Sequence, residues 1–158
     1  MRGRRCFLVI RVRGRIGPRR DVKETLRYLR VERTNYATLV DDRPSYVGML
    51  QKAKDWITWG EVSLEVLEEL LRRRGRLVGG RRLTEENVRE TGFNSIRELA
   101  EALHRCEVSI EEVRNLKPFF RLRPPSGGYK GGIKRPYAAG GELGYRGEAI
   151  NDLVKRMM

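Results

Sequence analysis

Cys6-Phe7-Leu8-Val9-Ile10-Arg11-Val12-Arg13 is the stretch on which the fold turns. It opens as an unbroken apolar run and closes in alternation, the pattern of a central strand whose far end emerges into solvent. On that reading Arg11 and Arg13 share one face. Gly14 to Gly17 break the strand, Pro18 suits a first helical turn, and Val22, Leu26 and Leu29 recur at i, i+4, i+7, which predicts the first helix. Asn35 to Val40 is rich in strand formers. Asp42 and Pro44 mark the start of a short second helix through Val47, Leu50 and Ala53, and Trp56-Ile57-Thr58-Trp59, ended by Gly60, reads as a third strand. Strand, helix, strand, helix, strand with short connections fits a two-layer α/β sandwich. The pattern leaves the strand directions open.

Further along, each helix start carries a side chain able to accept from an otherwise unpaired backbone N–H. Ser63 stands between Val62 and Leu67, the two halves of a hydrophobic staple, and its helix runs through Leu70 and Leu71 to Gly75. Thr84 repeats the scheme with Leu83 and Val88. Ser95 with Glu98, and Ser109 with Glu112, have capping-box spacing before Ile96, Leu99, Ala100 and Leu103 and before Val113 and Leu116. After Lys117-Pro118, Phe119 to Leu122 is either a short strand or a buried anchor. Pro124, Pro125 and the glycines beyond predict an extended, irregular arm, and Glu148 through Ile150, Leu153 and Val154 a final short helix. The chain thus divides into a core at 1–62, a helical stretch at 63–117 and a basic arm at 118–158.

The 158 residues hold 34 Lys plus Arg against 21 Asp plus Glu, a net charge of +13. Such a chain repels itself until something anionic neutralises it, so a polyanion is the expected partner. The longest apolar run, Cys6 to Ile10, is far too short to span a bilayer and no basic amphipathic helix stands out, which favours nucleic acid over a membrane. Basic residues precede that run as in a signal peptide, but arginines resume at Arg11 and no small-residue cleavage site comes after them. Residues 1–35 carry a net +9, residues 36–60 balance, residues 61–112 carry −3 and read as ordinary solvated helix, and residues 113–158 return to +7. Charge gathered at both chain ends is the footprint of a nucleic-acid binder.

Arg11, Arg13, Arg15, Arg19 and Arg20 surround the strand-to-helix turn, with Arg2, Arg4 and Arg5 ahead of it. Planar, permanently charged guanidinium groups bind two phosphate oxygens at once, and the helix start near Pro18 adds a positive dipole end. In the arm, Arg123 is followed by Tyr129, Tyr137 and Tyr145 interleaved with Lys130, Lys134, Arg135 and Arg146. Aromatic faces stack on unpaired bases, and glycines let the backbone approach a crowded RNA surface; a flexible linker is the bland alternative. Gly127 to Lys134 lacks the Gly-Lys followed by Ser or Thr of a nucleotide-binding loop. His104 near a helix end is explained by the helix dipole. Cys6 sits in an apolar strand, Cys106 has no base beside it in sequence, and two such cysteines suggest neither a disulfide framework nor a metal site but a reducing cytosol. Asp41 and Asp42 would point to opposite faces of a strand, so a helix-start role is preferred for Asp42. No enzyme, cofactor or metal is expected.

Across residues 6–63 the chain resembles the core of large-subunit ribosomal protein thirty, protein seven in eukaryotes, most specifically in RVRGRIG, LRYLRVERTN and the YVGML to ITWG stretch. LLRRRG, FNSIRELAEAL, LKPFFRLRPPSGGYKGG and the end through LGYRGEAINDLVKRMM resemble the extension of archaeal and eukaryotic members that short bacterial ones lack. The resemblance implies a three-stranded antiparallel sheet related to ferredoxin-like folds. It also implies a structural role in the cytoplasmic large subunit, bound to 23S-type rRNA and neighbouring large-subunit proteins, with no small-molecule substrate. It places Arg11, Arg13, Arg15 and Gly17 on the family's first strand and turn, and Lys130 to Gly132 on its glycine-basic extension. The eukaryotic basic N-terminal extension is missing, which favours an archaeal source. The alternative of a different class is a free-standing RNA- or DNA-binding regulator. In the ribosomal reading the arm is expected to order on binding, to be cut rapidly between Pro124 and Gly147 in the isolated protein and to be protected inside the subunit.

Overall fold

The structure, a computed structural model, describes residues 4–14, 17–129 and 131–158. Strand β1 (Cys6–Arg11) is buried along its whole length. It pairs antiparallel with β2 (Tyr36–Asp41) on one side and β3 (Ile57–Glu61) on the other, so that Leu8 faces both Leu39 and Gly60. A strand hydrogen-bonded on both edges and covered on both faces needs the continuous apolar run that the sequence shows. Phe7 and Val9 point into one cluster and Cys6, Leu8 and Ile10 into another.

Helices α1 (Arg20–Tyr28) and α2 (Pro44–Lys52) cover the Phe7 face with Val22, Leu26, Leu29 and Leu50. Pro44 takes the first turn of α2 as expected, but it is Asp41, not Asp42, whose Oδ1 accepts the Arg43 N–H at 3.0 Å. On the opposite face lie α3 (Leu64–Arg74), α4 (Ile96–His104) and α5 (Ile150–Met157), which contribute Leu67, Leu70, Leu99, Leu103, Leu153 and Val154. Helices on both faces make three layers where two were expected. That second cluster joins residues from the core, the helical stretch and the arm in one body of contact.

The sheet also departs from the antiparallel three strands that the resemblance implied. Two short strands of the arm extend it, β4 (Phe120–Arg121) antiparallel on β2 and β5 (Gly144–Tyr145) parallel on β3, giving the order β4-β2-β1-β3-β5. The outer edges of β2 and β3 would otherwise present unpaired N–H and C=O groups, and the arm covers part of each, at Tyr36–Ala37 and at Thr58–Trp59. Gly60 therefore does not end β3 but sits inside it, where a Cβ would run into the Gly147 carbonyl.

Not every capping side chain opens a helix. Ser63 Oγ accepts from Val66 N at 3.3 Å and Ser95 Oγ from Glu98 N at 3.0 Å, and both of these stand at helix starts. Thr84 closes a reciprocal turn with Asn87 that leads only into a 3-10 turn at Val88–Thr91. Glu112 reaches back to Ser109 N at 3.1 Å, yet no α-helix forms beyond it. Asn115 is left-handed (φ 64), its carbonyl accepts from Val78 N, and Leu116 bridges Leu77, so cross-chain bonds replace the helical ones.

The arm is folded at both ends. Arg123 N donates to Met157 O and Ser126 N to Arg156 O, while 132–140 is exposed throughout. We expect trypsin to cut the isolated chain first after Lys134, since Pro136 blocks cleavage after Arg135, and to leave β5 and α5 attached to the body. Early cuts inside α5, read by mass spectrometry of the first fragments, would show that the arm's end is not docked.

Candidate nucleic-acid interface

The arginines that crowd the first twenty positions do not form one surface. Arg5 and Arg11 bracket β1, and at roughly 3.4 Å per residue they stand about 20 Å apart, at opposite ends of the sheet. At the first end Arg4 Nη1 lies 3.2 Å from Asp41 Oδ2, and Arg5 approaches Glu61 at 3.9 Å. Burial would raise the Asp41 carboxyl, but hydrogen bonds from Arg43 and then Arg4 outweigh it and hold the group below its ordinary value.

At the second end, Arg11 does not reach solvent. Its side chain is enclosed, with 2% of the residue exposed, and donates through Nε to Arg13 O (2.8 Å), through Nη1 to Val31 O and Glu32 O (3.1 and 3.0 Å) and through Nη2 to Gly14 O (2.9 Å). It braces the turn after β1 against the chain leaving α1. Arg146 is likewise withdrawn from the surface. Its Nη2 lies 2.6 Å from both Glu142 Oε2 and Glu142 O, Nε donates to Thr58 Oγ1 at 2.8 Å, and the guanidinium covers one face of Tyr137 at 4.9 Å. Both arginines were expected on an RNA surface; in the fold each is committed to the protein's own acceptors.

The remaining expected residues divide by exposure. Arg13 lies over the Trp56 indole at 4.2 Å and donates to Asp55 O at 3.3 Å. Arg19 and Arg20 project outward with only loose pairs to Asp21 (3.6 Å) and Glu24 (3.5 Å). Lys134 and Arg135 are exposed, and Arg123 is exposed while donating to Met158 O at 2.9 Å. Tyr129 is half-buried, its hydroxyl bonded to Asn35 Oδ1 at 3.2 Å and its phenol pushed up to about 12, chiefly by burial, so it anchors the arm. Arg2, Arg15 and Lys130 lie outside the described residues.

Several segments converge where β1 leaves the sheet. Val12 N and Arg13 N both donate to Trp56 O, Asn35 N to Arg11 O, and Leu122 N to Asn35 O. Arg13, Arg33, Lys54 and Arg121 are therefore neighbours of one sheet end, and none forms an ion pair with an Asp or Glu among the described residues. Arg33, Lys54 and Arg121 were missed in sequence. Arg33 and Lys54 each stand three residues ahead of a strand, so antiparallel pairing puts them beside Arg13, and that pairing is what the periodicity left open.

Among the described residues no three His, Cys, Asp or Glu side chains gather as a metal site, and no helix is long and apolar enough to cross a membrane. His104 Nε2 lies 3.1 Å from Val62 O. Cys6 and Cys106 meet across the fold, and the hydrogen bond between them, with burial, pushes the Cys6 thiol well up.

A sheet with helices on both faces and uncompensated cations at one end defines a basic α/β protein suited to an anionic surface. Comparison with known proteins supplies the family. The model for ribosomal protein L30p/L7e matches residues 7–57. The large ribosomal subunit protein uL30 of Methanopyrus kandleri is 54% identical over 149 residues, spanning 93% of this chain and 100% of that protein. Those of Nanoarchaeum equitans and Thermofilum pendens are each 52% identical, over 95% and 96% of this chain and 97% and 98% of their own lengths. The chain belongs to the ribosomal protein L30p/L7e family.

Proposed function

We propose that the chain is a structural constituent of the cytoplasmic large ribosomal subunit that binds large-subunit rRNA and stabilises its folded arrangement. The observation that carries this is end-to-end similarity, above half-identity, to proteins named for that subunit. The sheet end gives it a physical basis. Arg13, Arg33, Lys54 and Arg121 stand there without acidic partners among the described residues, and the exposed pairs of Arg19 and Arg20 are weak enough to exchange for phosphate at little cost. Guanidinium pairs and phosphate contacts position RNA without reading its sequence, which suits a protein that stabilises an already folded RNA. The buried β1 and its flanking layers hold those cations in fixed register. Neighbouring large-subunit proteins and 23S-type rRNA are the partners, and the role requires no catalytic group.

The test is stoichiometry. Quantitative mass spectrometry of large subunits purified from the source cell should find one copy per particle, retained through a salt wash that strips loosely bound factors. Substoichiometric amounts, or quantitative loss in the wash, would overturn the structural role and leave a factor that acts off the particle.

A further inference from the structure

We infer that the cleft between the end of α3 and strand β4 is an additional RNA-backbone site, taking the phosphates of an unpaired strand with a ribose or base laid against Phe119. This deepens the reading above and rests on it. The walls are Arg74 and Arg76 at the end of α3, Gly80 in the turn beyond, and Lys117, Phe119 and Arg121 leading into β4. They enclose about 230 Å³, several times the roughly 30 Å³ share of one water. Backbone pairing assembles the walls: Lys117 N donates to Arg76 O at 2.9 Å, and Arg121 is the register partner of Tyr36.

The composition of the walls decides the ligand. Four of the six lining residues are cations and none is acidic. Nearby arginines are neutralised locally: Arg72 by Glu85 at 2.7 Å, Arg73 by Glu69 at 3.2 Å and Arg81 by Glu90 at 2.8 Å. Arg74, Arg76, Lys117 and Arg121 reach no Asp or Glu among the described residues; Arg74 instead donates to Met158 O at 2.7 Å. Burial, then the charges of Arg123, Arg76 and Arg73, destabilise the Arg74 cation. An anion in the cleft relieves that repulsion.

The aromatic wall separates nucleic acid from a simple anion. Phe119 stacks on Tyr36 with centroids 5.2 Å apart and planes 8° from parallel, and the Arg121 guanidinium lies 5.9 Å from each ring. Cations lining a groove beside an aromatic surface are the elements with which single strands are held without sequence preference. The net negative charge of residues 61–112 conceals this site, because Arg74 and Arg76 work with cations beyond position 112.

The experiment measures binding of the full chain to deproteinised large-subunit rRNA over a salt series. Among the described residues the Lys117 side chain donates no hydrogen bond and that of Arg76 donates only to the carbonyl of its neighbour Gly75, so Lys117→Gln/Arg76→Gln, which leaves Arg121 of the sheet end in place, should fold with an unchanged melting midpoint. Removing two phosphate contacts should reduce the slope of log affinity against log salt by about 1.4, at roughly 0.7 per contact on a single strand. The charge-keeping pair Lys117→Arg/Arg76→Lys should retain the original slope, and Arg81→Gln, whose charge is already clasped, should leave it unchanged. Should the double variant melt early, Lys117→Gln takes its place with an expected reduction of about 0.7. A steep wild-type response with unaltered slope in the variant overturns the site alone. An equal reduction in Arg81→Gln does the same. A flat wild-type response overturns the site and the RNA-binding reading together.

Discussion

Replacing Arg146 with Met should lower the unfolding free energy by about 3–5 kcal/mol, because removal of one partner leaves the other as a buried, uncompensated charge. The side chains of Arg146 and Glu142 are only 4% and 7% exposed. Glu142 Oε1 also accepts the Gly131 N–H at 3.2 Å, and Arg146 Nε holds Thr58, whose hydroxyl in turn donates to Gly144 O at 2.7 Å. The pair therefore ties three points of the arm to β3. For a domain of this size each kcal/mol moves the melting midpoint by about 2–4 °C, so a fall of roughly 6–20 °C is expected. The double change Arg146→Met/Glu142→Leu should cost less than Arg146→Met alone, since no stranded charge remains. Urea unfolding with an unchanged m-value measures both. A loss below about 1 kcal/mol for Arg146→Met would mean that the pair is solvated like a surface bridge and the arm is not docked through it.

Much of this fold was legible because its first strand is extreme. Six buried positions in a row, Cys6 to Arg11, allow only a strand at the centre of a covered sheet, and the i, i+4, i+7 stripe after it allows only α1. Ser63 and Ser95 were legible because a local cap fixes a local start. The long-range pairings were not legible. Ser109 and Glu112 make their capping contact, yet the chain beyond them is drawn into bonds with Val78 and Leu77, which no local pattern records. The arm's glycines suggested mobility, whereas Gly147 and Gly60 let two backbones approach, and closeness of that kind looks the same in sequence as a flexible linker. The candidate interface suffered similarly. A count of positive charge along the chain treats every arginine as equal, but burial removes Arg11 and Arg146 from the surface and topology adds Arg33, Lys54 and Arg121 to it.

Arg11 supplies the sharpest separation between an arginine that holds the fold and one that holds RNA. Its guanidinium donates to four carbonyls on two segments, those of Arg13 and Gly14 after β1 and those of Val31 and Glu32 after α1. A Met there keeps the apolar stem and removes every donor. Hydrogen bonds from a charged group contribute about 1.5–3 kcal/mol each, and a buried acceptor left alone costs about 1–3 kcal/mol. Water can reach the partly exposed carbonyls but not the buried bond to Val31, so Arg11→Met should destabilise the chain by about 3 kcal/mol or more. Arg11→Lys keeps the charge, yet a compact ammonium cannot span both segments as a planar fork does, so it should still lose about 1–3 kcal/mol. A phosphate-binding role makes the opposite forecast: Lys would restore function, stability would hardly change, and the salt slope of rRNA binding would fall by about 0.7–0.9 in Arg11→Met alone. Denaturation curves and the salt slope, measured on both variants where they remain folded, decide between the two. Loss of stability in both with an intact slope makes Arg11 a brace, and the reverse pattern would return it to the RNA surface.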